Sequence, residues 1–485
     1  MTFSTLVDKR AAENPAGSAV ADSTTSLTNA ELLARVQAVA AQLADLGITS
    51  GDVVALRLTN RVEFVILLFA AWRLGATVTP INPALTDIEV TRQLDDSAAK
   101  LLLIEETAVG VGGIPTLSIA DLARENALEL APVEDSSGLA LLIYTSGTTG
   151  VPKGVMLDHA NLDAMTTMGQ EVLQVGGDDR CLLILPLFHV NGIVVSILTP
   201  LRAGASVVIA ERFNPNSFFD VIARERPTFF SAVPTIYSML AALPDGVRPD
   251  TSSVKFAVCG AAPASAELLA RFEDRFGFPL LEGYGLSEAT CGSTINPVHG
   301  PRKAGTVGLP FPGQELRIVG SDGNTVPPGE NGEVEVRGAN VMRGYLGRPD
   351  DTAAVISNGW LRTGDLGHLD EDGYLTIVGR SKEMIIRGGE NIYPKEIEDV
   401  LASHPDVLAA AVIGVPDETW GEVVVAYVQA RPGADVDLES LKTLCRGSLS
   451  GYKRPSAIHV MKALPTNALG KLDKNSLRAV ALVRG

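Results

Sequence analysis

Between Tyr144 and Gly154 the chain reads Tyr-Thr-Ser-Gly-Thr-Thr-Gly-Val-Pro-Lys-Gly, so hydroxyls, glycines and one lysine gather directly after a short apolar run, Leu139 to Ile143. Such a run reads as a buried strand, and glycine lets the loop that follows take backbone conformations a Cβ forbids. Loop N–H groups, the hydroxyls of Thr145, Ser146, Thr148 and Thr149, the bare backbone at Gly147 and Gly150, and the Lys153 ammonium can together surround an anion. Phosphate is the group this stretch suits. It is not the common P-loop, which needs Gly before the lysine and Ser or Thr after it; Pro152 and Gly154 stand there instead. A surface loop with an incidental lysine is the other reading its composition allows.

The elements that would position this loop follow βαβ grammar. Strand-like runs at Asp52–Leu58, Ala76–Pro80 and Lys100–Ile104 alternate with helical patterns at Arg61–Gly75 and Thr86–Ser97. After the loop the alternation resumes, with strands expected at Cys181–Leu185, Ser206–Ala210, Thr228–Ala232, Val254–Val258 and Pro279–Glu282. Parallel sheets with helices on both faces are implied. Sites in such sheets lie at the carboxyl ends of strands, where Thr145 to Lys153, His189, Gly260-Ala261-Ala262 and Gly283 to Glu288 all fall. From Pro301 on, short strands with Gly, Pro and Asp turns suggest a β unit, about residues 302–381. A further α+β segment begins at Lys382, where we place the boundary between a body, 1–381, and a small C-terminal domain, 382–485.

Composition narrows the function classes. At 485 residues, 46% hydrophobic and 20% charged, the chain is a multidomain globular protein. A formal charge of -17 argues against a nucleic-acid partner, which needs clustered Lys and Arg. Cys181, Cys259, Cys291 and Cys445 are too scattered for a zinc site or a disulfide framework and read as reduced thiols. The N-terminus has no secretory signature and the apolar runs fall short of the roughly 20 residues that span a bilayer. A cytoplasmic protein without a transmembrane segment is expected.

Four stretches then combine in order: Tyr144 to Gly154; Glu282-Gly-Tyr-Gly-Leu-Ser-Glu288; Gly359 to Asp365 with Gly373 to Arg380; and Pro465-Thr-Asn-Ala-Leu-Gly-Lys471. Over essentially the whole chain they resemble the adenylate-forming superfamily of acyl-CoA synthetases, adenylation domains and luciferases. Lys382 to Glu398 is most similar to free-standing aryl- and fatty-acyl-CoA ligases. The resemblance implies an α/β fold, with a large N-terminal body of mixed and parallel sheets carrying a β subdomain and a small mobile α+β lid. It also implies a reaction in which a carboxylate attacks the α-phosphate of ATP, with Mg2+, and coenzyme A then takes the acyl group.

The same resemblance assigns roles. Lys153 with Thr145 to Gly150 serves the phosphates, Glu288 the magnesium ion, and Asp365 with Arg380 the ribose. Tyr284 stacks on adenine between Gly283 and Gly285, with Glu282, Leu286, Ser287, Gly260, Ala261 and Ala262 around the nucleotide. Lys471 bridges the carboxylate and the α-phosphate, and His189 gates the passage from acyl pocket to pantetheine channel. Lys382 is the hinge, Gly388 and Gly389 line the tunnel, and Trp420 contacts CoA. Taken alone, each has an ordinary alternative: Lys471 a surface charge, Glu288 a helix-start carboxylate, Asp365 a turn residue, Tyr284 a core aromatic, His189 a hydrogen-bonded histidine, Trp420 packing, and the glycine pair a tight turn.

The acyl wall implied by family positions is Val190, Asn191, Val194, Cys259, Gly260, Ala261, Ala262, Cys291 and Gly292, none of them charged. Malonate ligases of the superfamily carry Arg directly before the motif tyrosine, whereas Gly283 stands here, so an aromatic or fatty acid with an uncharged tail is expected. His299, Arg302 and Lys303 could reach an edge and leave polar acids open. A separate carrier protein as acceptor, a non-catalytic nucleotide-binding paralogue, and a homodimer also remain compatible with the sequence.

Overall fold

The computed structural model of the chain describes residues 2–105, 111–125, 130–145, 152–466 and 472–484. A nine-stranded sheet runs from Leu309–Pro310 through Thr294–Ile295, Leu280–Tyr284, Phe256–Cys259, Phe229–Ala232, Arg180–Leu183, Ser206–Ile209 and Ser18–Ala21 to Ser26–Thr28. Its six central strands are parallel and its edges antiparallel. A seven-stranded sheet runs from Gly344–Tyr345 through Lys153–Asp158, Leu139–Thr145, Thr77–Pro80, Val53–Arg57 and Leu101–Ile104 to Thr116–Ser118.

Helices lie between the two sheets because their sequences are apolar on more than one face. In Val62–Arg73 every residue but Glu63 is buried, the pattern of a helix enclosed on all sides. Its side chains join one core with strand residues from both sheets and with the helices Asn29–Asp45 and His159–Leu173. Each such buried Leu, Ile or Phe contributes about 1.5–3 kcal/mol. The chain satisfies the polar atoms this helix carries inside: Trp72 Nε1 donates to Ala140 O at 2.8 Å, and Arg73 Nη1 reaches Asp8 Oδ2 at 2.8 Å. On the far face of the nine-stranded sheet, Phe218, Phe219, Phe230, Tyr237, Phe272 and Phe278 form a second core.

One strand lies outside the sequence expectations. The strand Lys153–Asp158 is antiparallel to Leu139–Thr145, with Thr145 opposite Lys153. The connection, 146–152, is too short for a parallel crossover of about a dozen residues, so the chain turns back as a hairpin. Lys153 therefore begins the return strand, directly opposite Thr145.

The segment after 310 forms an antiparallel sheet of Glu315–Val319, Gly332–Arg337, Trp360–Leu369, Ile356–Ser357 and Leu375–Arg380. A further five-stranded sheet, built on the hairpin Val407–Asp417 and Gly421–Ala430, forms the smaller C-terminal domain. Alternate residues of that hairpin face opposite sides. Val412, Val424, Ala426 and Val428 meet the helices Pro394–Ala402 and Leu438–Ser448, while Ala411, Ile413, Val425 and Tyr427 meet Leu477 of the helix Lys474–Arg484. The strands Glu390–Ile392 and Ala457–Met461 and that last helix lie outside the sequence expectations. No helix among the described residues is long and apolar enough to cross a membrane.

Lys474 locks this domain to its first residues. Its ammonium lies 2.8 Å from Glu398 and 3.0 Å from Glu383, next to Lys382. Burial acts to raise the Glu383 carboxyl pKa, but the Lys474 charge outweighs it and the group ends below its ordinary value. Its stabilising share is thus present above the ordinary carboxylate pKa and lost as pH falls through the lowered one. Lys474→Met should destabilise the C-terminal domain by about 2–4 kcal/mol, since two half-buried carboxylates lose their cation. Hydrogen exchange in Val407–Asp417 and Gly421–Ala430 reads the effect, and unchanged protection there would contradict it.

Candidate active site

The site gathers at the carboxyl end of Leu280–Tyr284, where the backbone is unusually constrained. Non-glycine residues with left-handed φ cluster in its loops: Ala261 at 66°, Thr290 at 56° and Cys291 at 103°. Such conformations store strain and concentrate at functional sites. Gly285 explains why the loop closes this way. A Cβ there would stand 1.6 Å from Cys291 O, so backbone meets backbone and only glycine fits. The glycines flanking Tyr284 thus serve the loop's own packing and not only the space for a planar base.

Among the described residues, Lys153, Glu288, Asp365 and Arg380 each already have a partner. Lys153 Nζ is 3.0 Å from Asp351 Oδ2, at the start of the helix Pro349–Val355, and 5.0 Å from the centre of the Tyr345 ring. Tyr345 Oη donates to Glu288 Oε1 at 2.9 Å. Asp365 and Arg380 face each other across adjacent strands, Nε to Oδ1 at 2.7 Å, and Tyr284 Oη donates to Asp365 Oδ2 at 2.7 Å. Burial opposes the Arg380 charge, but Asp365 leads a set of acidic neighbours that raise its pKa. Burial and the Asp365 carboxylate push the Tyr284 phenol well above its usual range, so it remains a donor.

Glu282 differs from these. Its Oε1 accepts from Ala264 N at 2.9 Å, while Oε2 is buried without a hydrogen-bond partner among the described residues. Burial raises its pKa to about 7, against the pull of Ala264 N–H and Lys395. Lys395 lies in the first turn of the helix Pro394–Ala402, which also packs on Leu375–Arg380, so the C-terminal domain meets the body beside Glu282 and the strand that carries Arg380.

Of the residues expected in the acyl wall, Val190, Val194 and Cys291 share one core with Met165 and Phe311, whereas Cys259 packs in the core on the far face of the nine-stranded sheet. His189 leads the short helix Val190–Ile193, its ring 4.7 Å from that of Phe188. Val190, Val194, Cys259, Gly260 and Cys291 are buried, and Ala261 and Ala262 are exposed. A Cβ on Gly292 would meet the Phe311 ring at 2.8 Å and Met165 Sδ at 3.5 Å. Gln314 Nε2 donates to Gly292 O at 2.9 Å, and both Gln314 Oε1 and Asn191 Oδ1 are buried without a hydrogen-bond partner among the described residues. Met165, Phe311 and Gln314 carry no motif and are invisible in the sequence. Arg302 and Lys303 do not serve the pocket edge: Arg302 pairs with Glu273 at 3.1 Å, and Lys303 with Asp370 and Asp372 at 2.5 Å each.

On the C-terminal domain, Gly388 and Gly389 have φ of +59° and +87°, and Gly388 N donates to Trp420 O at 2.8 Å. A Cβ on Gly388 would lie 2.9 Å from the Trp420 ring, so the turn itself requires glycine. Trp420 is half exposed, with the Arg387 guanidinium 5.5 Å over its ring, and Arg387 also donates to Tyr452 O. Arg387 and Tyr452 escaped the sequence reading. Lys382 is exposed in the turn Ser381–Glu383. Ser146, Gly147, Thr148, Thr149, Gly150 and Lys471 lie outside the described residues.

Among the described residues no group of three or more His, Cys, Asp or Glu is placed to hold a metal on its own. Magnesium carried on phosphates needs fewer, keeping waters and phosphate oxygens and taking one or two carboxylates. Glu288, with one oxygen engaged by Tyr345, fits that donor set.

Comparison with known proteins gives the same outline. The AMP-binding enzyme family model matches residues 7–346, and the AMP-binding enzyme C-terminal domain model residues 396–471. The chain is 39% identical to a feruloyl-CoA synthase from Amycolatopsis sp, over 97% of each. ATP-bound MatB from Rhodopseudomonas palustris superposes with a TM-score of 0.91, at 32% identity over 99% of each chain, against 0.82 for the apo form. O-succinylbenzoate coenzyme A synthetase (MenE) from Bacillus subtilis, in complex with ATP and magnesium ion, superposes at 0.88, with 34% identity over 98% of this chain and 99% of that one.

The Lys153–Asp351 pair has a kinetic consequence. A phosphate that took Lys153 as partner would displace a half-exposed carboxylate whose pairing is worth at most about 1 kcal/mol. Asp351→Asn should therefore lower the KM for ATP by up to about fivefold, measured by pyrophosphate release; a raised KM would show that Asp351 positions Lys153 rather than competing for it.

Proposed function

The chain belongs to the AMP-binding enzyme family and is an AMP-forming carboxylate–CoA ligase that uses ATP, Mg2+ and coenzyme A; from this premise we propose how its residues divide the work. A carboxylate approaching a triphosphate meets like charge, so cations and oriented donors must be concentrated there. Lys153, with the hydroxyls and amides of 145–150, holds the β- and γ-phosphates, and Glu288 takes the magnesium ion. Asp365 exchanges Tyr284 and Arg380 for the ribose hydroxyls, and the freed Tyr284 ring lies on adenine. Lys471 bridges the acid and the α-phosphate. The acid oxygen attacks the α-phosphorus and pyrophosphate leaves; the CoA sulfur then attacks the acyl carbon and AMP leaves. The first step needs no general base, since a carboxyl group of pKa near 4 is already ionised, so His189 orients and gates.

Lys382 is the hinge between residues 1–381 and 382–485, and the closer fit to ATP-bound than to apo MatB supports a lid lying near an adenylating arrangement. After the lid turns, Gly388 and Gly389 line the pantetheine path and Trp420, Arg387 and Tyr452 meet the rest of coenzyme A. A half-exposed ring with a guanidinium over it suits a nucleotide base beside phosphate.

The acid has an uncharged, preferably aromatic tail. The observation that carries this is a buried group of Val190, Val194, Cys291, Phe311 and Met165 in one core, while the candidate cations Arg302 and Lys303 are engaged in other ion pairs. A second carboxylate in that wall would be buried unpaired, at a cost of several kcal/mol. Pyrophosphate release should therefore favour aromatic or aliphatic monocarboxylates over short dicarboxylates by at least about 100-fold in kcat/KM. In the same assay Lys471→Ala should abolish adenylate formation while thioester formation from a supplied acyl-adenylate persists. A dicarboxylate preference would overturn the substrate assignment, and equal loss of both half-reactions the role of Lys471.

A further inference from the structure

We propose that Tyr345 is a positioning residue: it fixes the Glu288 carboxylate for the metal ion and steadies Lys153 at the phosphates. The inference rests on the assignment of magnesium to Glu288 made above. The backbone of Tyr345 is anchored on two sides. The strand Gly344–Tyr345 pairs antiparallel with the phosphate strand, Tyr345 opposite Val155, and Leu346 N donates to Gly154 O at 2.8 Å. Tyr345 N donates to Thr352 Oγ1 at 2.9 Å. Gly344, at φ +139°, lets Thr352 come this near, since a Cβ there would lie 2.7 Å from its side chain.

From that anchored position one side chain touches both charges. The hydroxyl donates to Glu288 Oε1 at 2.9 Å, and the ring face lies 5.0 Å from Lys153 Nζ. Hydrogen bonds to a carboxylate are stronger than neutral ones, and an ammonium is drawn to a ring face. With Oε1 engaged, the carboxyl group cannot rotate without breaking the bond, and Oε2 is the oxygen free of that constraint. Glu288 is fixed from its other end as well, its carbonyl accepting from Met342 N at 2.8 Å. The segment 342–346 thus spans the gap between the phosphate strand and the metal carboxylate.

Tyr345→Phe keeps the ring and removes the hydroxyl. An ATP analogue with a methylene bridge between its α- and β-phosphates cannot transfer, so titration calorimetry across a Mg2+ series reads binding without turnover. The Mg2+ concentration for half-maximal nucleotide affinity should rise roughly three- to tenfold, with affinity in EDTA and the thermal midpoint unchanged. Glu288→Gln should raise it at least as much, and adding Tyr345→Phe to that variant should then have no further effect. A Glu288→Gln shift without a Tyr345→Phe shift overturns the role of Tyr345 alone; no Glu288→Gln shift overturns the premise with it. Equal loss of affinity with and without magnesium also overturns the inference.

Discussion

The constraint on which this molecule depends is electrostatic: an anionic acid must be brought to an anionic triphosphate in a site that keeps water out. The cations needed for this would be costly to bury alone. Among the described residues, Lys153 and Arg380 each have a carboxylate partner. Lys153 is held by Asp351, Arg380 by Asp365, and the carboxylates Glu288 and Asp365 each accept a tyrosine hydroxyl. On the proposed assignment of these residues, nucleotide binding is an exchange of partners and not the filling of an empty charged cleft. An exchange wastes little desolvation, because each group leaves one partner as it gains another.

The fold serves that exchange by bringing together segments remote in sequence. The hairpin Leu139–Asp158 brings Lys153, the short strand at 344–345 brings Tyr345, and the crossed pair of strands at 360–369 and 375–380 brings Asp365 opposite Arg380. Between them the loop after Tyr284 is strained at Thr290 and Cys291 and closed by backbone contact at Gly285. Rigid sheets below hold that strain in place. The C-terminal domain is tied at its first residues by Lys474, so motion about Lys382 would carry it as one body.

Much of this was legible in the residues because the chemistry needs rare types at fixed spacing. The Gly/Ser/Thr loop with Lys153, the Glu282–Glu288 run, and Asp365 with Arg380 announce a nucleotide, and the change of texture after Pro301 marks the β sheet that carries the last two. What stayed hidden has physical reasons. Tyr345 and Asp351 matter through side-chain contacts with Lys153, remote in sequence, and Tyr345 also through Glu288, 57 positions away, and Gly-Tyr in a turn-rich segment has no pattern of its own. Phe311, Met165 and Gln314 surround Gly292, which only tertiary structure discloses. The antiparallel return of Lys153 could have been read from the length of its loop, since so short a link excludes a crossover. Gly285 was read as room for a base, and the backbone of Cys291 gives a stronger reason.

A crystal structure of the enzyme with Mg2+ and the methylene-bridged ATP analogue tests the partner-exchange account most directly. The account predicts Lys153 Nζ within hydrogen-bond reach of a phosphate oxygen and withdrawn from Asp351, and Asp365 on the ribose in place of the Tyr284 hydroxyl. Bound nucleotide with the Lys153–Asp351 and Tyr284–Asp365 contacts both intact would contradict it.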